Sequence, residues 1–205
     1  MHVDDHRLVI EGEPADFRSS PNQSGELANP RAVVLHFTAG RSFEHSCDWL
    51  CNPKAKASAH LVIGREAQVK QLVAFNKRAW HVGASSWVFD GEPVKGLNAY
   101  AIGIEFENYG HLQRRANGWH TYWGFAVPDD EVMIALDETG WHAYTEPQID
   151  QALDVCRALI TEYPKIGEVL GHSEVAPKRK LDPGPAFPMI AFRSQLFGRA
   201  GEGEA

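Results

Sequence analysis

A chain of 205 residues, 43% hydrophobic and 23% charged, is long enough and apolar enough to bury one sizeable core. Its formal net charge of −7 argues against a nucleic-acid binder, which carries a basic stripe. The longest apolar runs, such as AVVLHF, fall far short of the roughly 20 residues that a membrane span requires.

The opening MHVDDHRLVIEGEP has acids and a proline where a signal peptide would carry a basic start and an apolar run. Cys47, Cys51 and Cys156 make an odd count and read as small apolar filler in a reducing compartment. Both features read as cytoplasmic. Residues 1–30 are polar and broken by Pro14, Pro21, Gly25 and Pro30, which predicts an irregular arm. RAVVLHFTAG is a nearly continuous apolar run ending in Gly40, the pattern of a strand buried on both faces. Phe43, Cys47, Leu50 and Cys51 then recur at helical spacing, with Ser42 as N-cap and Asn52-Pro53 as the stop. AHLVIGREAQVKQLV predicts a hairpin around Gly64-Arg65-Glu66.

NAYAIGIEFENYG predicts a strand with Ile102, Ile104 and Phe106 on one face and Gly103, Glu105 and Glu107 on the other. Residues 109–144, rich in tryptophan and histidine, read as an excursion, a hairpin or flap followed by a short strand at EVMIAL. TEPQIDQALDVCRALITEYP predicts a helix with a Thr145/Gln148 capping box and a stop at Pro164. GEVLGH is a short strand leading to His172, PMIAFRSQLFG a closing helix ended by Gly198, and residues 199–205 a tail. The pattern predicts one α/β domain over residues 31–198, a central mixed β-sheet flanked by helices.

His36 ends the first buried strand, and His172 ends the last. Asp182 follows ten residues after His172, between Lys180 and the stiff turn Pro183-Gly184-Pro185. Two histidines and a carboxylate form a catalytic zinc set with one position left for water. A structural loop with an incidental histidine has the same spacing, and the spacing leaves both readings open.

The blocks VVLHFTAG, ASAHLVIGREA, RAWHVGASSW, NAYAIGIEFEN and GHSEVAPKRKLDPGPAF occur in this order between residues 31 and 188. Together they resemble the type 2 N-acetylmuramoyl-L-alanine amidases, a family that includes phage amidase lysozymes and peptidoglycan-recognition proteins. Among these, the set looks most like bacterial amidases of cell-wall fragments, although the aromatic excursion is longer than that pattern. The resemblance implies that His36, His172 and Asp182 bind Zn2+, at one edge of a cleft. It also implies that Glu105 is the acid/base residue and that Lys180 stabilises the oxyanion. An aspartate at 182, where phage relatives place a cysteine, leaves the three cysteines outside the metal site.

The chemistry agrees with these roles. Amide hydrolysis needs a strong nucleophile and a sink for oxyanion charge, and zinc with three protein ligands provides for both. A carboxylate can move the water's proton to the leaving nitrogen, and a lysine two residues from a ligand adds charge where the transition state needs it. Glu107 stands as understudy to Glu105. His81, Asn98 and Arg179 are candidate substrate contacts, and the Trp119–Trp123 cluster is either a sugar-stacking rim or core. The expected partners are peptidoglycan fragments, with no nucleic acid and no membrane; no motif speaks to oligomeric state. The alternatives are a peptidoglycan-binding module without catalysis and a phage endolysin acting on intact sacculi.

Overall fold

The apolar run from Ala32 to Phe37 becomes the strand on which the rest is assembled. The computed structural model describes residues 1–198, so the expected tail lies outside the described residues. Its central sheet has six strands: β1 (Asp16–Phe17), β2 (Ala32–Phe37), β3 (Leu61–Ile63), β4 (Val69–Gln71), β5 (Ala101–Phe106) and β6 (Glu168–Gly171). The order across the sheet is β6-β2-β5-β3-β4-β1. β2 lies parallel to both β6 and β5, β5 lies parallel to β3, and the expected hairpin supplies the antiparallel pair β3–β4. The sheet is therefore mixed, as the sequence predicts.

Side-chain alternation along these strands separates two buried faces. Val33, Leu35, Ile102, Ile104 and Phe106 join one core cluster, and Ala32, Val34 and Ala101 join the other. The first face is covered by helix α2 (Glu146–Glu162), whose Ala152, Leu153, Cys156 and Leu159 form the predicted stripe. Helix α1 (Phe43–Leu50) starts at the Ser42 cap, the short α3 (His172–Val175) follows β6 directly, and α4 (Met189–Phe197) ends at Gly198 in a left-handed conformation.

Two expectations need correction. Residues 1–30 are not an irregular arm. Strands His2–Asp4, Arg7–Ile10 and Glu13–Pro14 make a small antiparallel sheet, β1 edges the central sheet, and Gln23–Glu26 pairs with Lys77–Ala79. Val3, Leu8 and Leu27 enter the main core. The strands escaped the sequence reading because they are two to four residues long and mostly solvated on one side, too short for a period to register.

The excursion is likewise more than a hairpin. It is a five-stranded antiparallel sheet that includes His111–Arg115, Gly118–His120, Val132–Ile134 and Gly140–His142. Trp141 fastens it to the loop carrying Asp182. A Cβ on Gly184 would lie 2.6 Å from the Trp141 ring, and the positive φ of Gly184 (+76°) favours glycine for a second reason.

The capping box of α2 is complete: Thr145 Oγ1 accepts from Gln148 N–H at 3.2 Å, and Gln148 Oε1 accepts from Thr145 N–H at 3.2 Å. Thr145 Oγ1 also donates to the Arg65 carbonyl at 2.5 Å. Thr145→Ala is expected to lower the unfolding free energy by about 1–2 kcal/mol. Urea denaturation should show a lower midpoint with unchanged slope, and an unshifted midpoint would show that water replaces the cap.

Candidate active site

The register of three neighbouring parallel strands brings the site together. Glu105 pairs with His36 across β5 and β2, while Gly171, the last residue of β6, pairs with Leu35. His172 therefore emerges beside His36, with Glu105 on the other side, at the carboxyl ends of the strands. The chain leaves β2 toward β3 on one side of the sheet, whereas β5 leads through α2 to β6 on the other. Such a reversal opens a crevice at the strand ends of α/β sheets. His36 and Glu105 share the face opposite α2, because they alternate with Leu35 and Ile104.

Asp182 returns on the loop after α3, held by Ser173 N–H donating to the Asp182 carbonyl (2.8 Å) and Tyr144 Oη donating to the Pro183 carbonyl (2.8 Å). His36 Nδ1, His172 Nδ1 and Asp182 Oδ2 then form a triangle with sides of 2.8–2.9 Å. These residues are 1%, 2% and 7% exposed. Three of the predicted site residues are thus brought to a single point.

The opposite ring nitrogens reveal what that point requires. His172 Nε2 lies 3.2 Å from the Val82 carbonyl, and His81 Nε2 lies 3.2 Å from the Ala101 carbonyl. A carbonyl only accepts, so both nitrogens carry the proton. His81 Nδ1 is then a lone pair, and His36 Nε2, 3.0 Å away, donates to it. Burial lowers the pKa of His36 and His81, so both rings are neutral. The Nδ1 atom of His36 therefore faces the Asp182 carboxylate as a lone pair, and His172 turns its Nδ1 to the same point. A ring lone pair 2.9 Å from a carboxylate oxygen is repelled by it unless a cation sits between them, and two imidazoles with a carboxylate are a donor set for zinc. The residues fit the ion.

Glu105 is partly accessible, yet its Oε2 is sealed from solvent without a hydrogen-bond partner. Burial first, and the charge of Asp182 second, push its pKa from 4.5 up to about 8, against the opposing charge of Lys180. Lys180 lies close enough to lower the pKa of His36 as well. Glu105 opens on a cavity of about 430 Å³ walled by Thr38, His45, Trp49, Leu50 and Trp123.

Several expectations change here. Glu107 is no understudy: its two carboxylate oxygens accept the backbone N–H of Phe43 (2.8 Å) and Arg65 (3.1 Å), tying the start of α1 to the β3–β4 turn. His81 sits behind His36 and not in the cleft, with both ring nitrogens bonded to protein. Asn98 Oδ1 accepts from His81 N–H and Val82 N–H, and Arg179 donates to the Val82 and Ala84 carbonyls. All three candidate substrate contacts thus hold one segment, residues 81–84.

The tryptophan cluster divides. Trp119 is buried against Gly140, whereas Trp123 is 39% exposed in the cavity and donates Nε1–H to the Ala39 carbonyl at 2.9 Å. Sequence reading passed over His45 and Trp49, which sit four apart on α1 facing the cavity. The available signal was an aromatic off the apolar stripe of that helix.

The sequence profile of a family described as N-acetylmuramoyl-L-alanine amidase matches residues 26–185. The 1,6-anhydro-N-acetylmuramyl-L-alanine amidase AmpD of Citrobacter freundii is 35% identical over 209 residues, covering 91% of this chain and 94% of that protein. A crystal structure of an AmpD derivative superimposes with a TM-score of 0.67 at 29% identity, over 96% of this chain and 99% of the other. The Escherichia coli amidase AmiD, solved with anhydro-N-acetylmuramic acid-L-Ala-D-gamma-Glu-L-Lys, gives a TM-score of 0.63 at 26% identity, over 96% of this chain and 68% of that one.

A buried acid with a raised pKa weakens folding increasingly from pH 4.5, where the unfolded group ionises, to about pH 8, where the folded one follows. Glu105→Gln should therefore raise the melting temperature of the metal-free protein at pH 8 and leave it nearly unchanged at pH 4. Lower stability than wild type at pH 8 would show that the carboxylate has a partner.

Proposed function

The chain belongs to the N-acetylmuramoyl-L-alanine amidase family, and on that premise we propose that it cleaves soluble muropeptides at a zinc centre held by His36, His172 and Asp182. The bond cut joins the lactyl group of N-acetylmuramic acid to L-alanine of the stem peptide. The observation that carries the metal assignment is the buried triangle of His36 Nδ1, His172 Nδ1 and Asp182 Oδ2, which favours an enzyme over a binding module without catalysis.

When bound, zinc supplies a Lewis acid for the amide carbonyl and lowers the pKa of water to roughly 7. The residues of the chain supply the rest. Glu105 takes the proton from the attacking water at Oε2, the atom free of other partners. It delivers a proton to the alanine nitrogen as the C–N bond breaks, leaving a muramyl carboxylate and a free amine. Lys180 places its ammonium near the developing oxyanion, where a charge lowers the barrier more than it strengthens ground-state binding.

The anhydro-muramyl substrates of the similar amidases support muropeptides of this kind as the substrate class. The half-exposed walls Trp49 and Trp123 beside Glu105 suit the neutral sugar ring, whose C–H faces can lie against aromatic rings. The free thiols of Cys47, Cys51 and Cys156 support turnover in a reducing, cytoplasmic setting. Among the described residues no helix is long and apolar enough to cross a membrane.

Purified protein, with and without chelator, can be offered soluble anhydro-muropeptide and intact sacculi. Chelator-sensitive peptide release from the soluble substrate is expected to exceed release from sacculi, and the reverse order would favour an endolysin. His172→Ala should lose both metal and activity, while Glu105→Ala should keep the metal and lose at least about 100-fold in kcat; full activity would move the base elsewhere. Trp123→Ala should raise KM about tenfold for the sugar-bearing substrate only, and an equal loss on a lactyl-peptide lacking the sugar would remove the ring from that wall.

A further inference from the structure

Two unusual features of the sequence meet at one place. Gly103 interrupts the apolar strand β5, where glycine costs stability and a side chain would normally pack. A Cβ there would lie 2.5 Å from His81 Cγ and Nδ1. The strand thus gives up a side chain so that the His81 ring can lie flush against it. That ring is 8% exposed and stands edge-on to His36, with centroids 5.1 Å apart and planes at 86°.

We propose that His81 is a positioning residue that fixes the tautomer and orientation of the ligand His36, through the relay Ala101 carbonyl–His81–His36. This rests on the zinc reading above and deepens it. The Ala101 carbonyl fixes the proton on His81 Nε2, which leaves His81 Nδ1 as an acceptor. That acceptor fixes the proton on His36 Nε2, so His36 Nδ1 keeps its lone pair toward the shared point. Groups behind a ligating histidine act in this way on ring orientation and basicity.

The next residue serves the second imidazole. The Val82 carbonyl accepts from His172 Nε2–H at 3.2 Å and from Arg179 at 2.6 Å. Asn98 Oδ1 holds both residues by their backbone N–H groups, at 3.1 and 3.0 Å. One dipeptide, His81-Val82, therefore presents an acceptor to each ligand ring. The His60 edge packs on the far side of His81, centroids 5.8 Å apart, and confines the ring from behind.

The test is metal affinity rather than turnover. Zinc dissociation constants of the full chain are measured by competition with a chromophoric chelator, for wild type, His172→Ala, His81→Leu, His81→Asn and Gly103→Ala. Asparagine can place Oδ1 near the position of His81 Nδ1 and keep the acceptor; leucine cannot. His81→Leu is expected to bind zinc about 10–100-fold more weakly, with His81→Asn recovering most of the loss. Gly103→Ala, which removes no donor or acceptor but displaces the ring, should also weaken binding.

Wild-type affinity in folded His81→Leu would overturn the relay while leaving the zinc site standing. Wild type binding no more tightly than His172→Ala would instead sink the zinc reading. Should the leucine variant not fold, long-range 15N–1H correlation spectra of zinc-loaded wild type decide the matter. The relay requires His81 protonated at Nε2 alone, and a proton on Nδ1 refutes it.

Discussion

Parallel pairing of β2 with a neighbour on either edge is the constraint from which the rest follows. Strands hydrogen-bonded in register end at the same height. With β6, β2 and β5 all pointing one way, the residues at their ends are neighbours although 69 to 136 positions of sequence separate them from His36. A slip of one residue would turn His36 and Glu105 to the α2 side and expel Leu35 and Ile104 from the core. The energy that holds the register is thus apolar burial on the opposite face, which makes chemical geometry a by-product of packing.

Around this frame the polar groups are placed under the opposite rule. Core positions are satisfied by burial alone, whereas every buried histidine near the site is fixed by a named acceptor. His60 bonds the Lys77 carbonyl and the Gly103 N–H, His81 the Ala101 carbonyl, and His172 the Val82 carbonyl. Glu105 stands apart, with a buried oxygen left unpartnered. A fold keeps such an atom at a cost to its own stability, and sites of chemistry are where that cost is tolerated.

The sequence carried the long elements plainly: AVVLHF, AIGIEF and the capped helix of residues 146–162 have unambiguous periods and caps. It carried the convergence of His36, His172 and Asp182, because motif order and the stiff Pro/Gly loop survive in a linear reading. It did not carry the roles of His81, Asn98 and Arg179. A histidine bonded to substrate and one bonded to another histidine look alike in one dimension, and the distinction depends on which carbonyl lies 3 Å away. The short amino-terminal strands were hidden for another reason. The partners of Asp16–Phe17 and Gln23–Glu26 lie far along the chain, at residues 70–71 and 77–79, so local pattern held no record of these two.

The three converging side chains also set an order in time. Asp182 stands 146 residues after His36, and His6 bonds Tyr163 across 157. Contacts of such separation close late and slowly. A growing polypeptide on the ribosome therefore exposes His36 long before His172 and Asp182 exist, and the three cannot meet until nearly all of the domain has emerged. The pocket they form is thus a closing event of folding, since it waits on β6 and on the loop that carries Asp182.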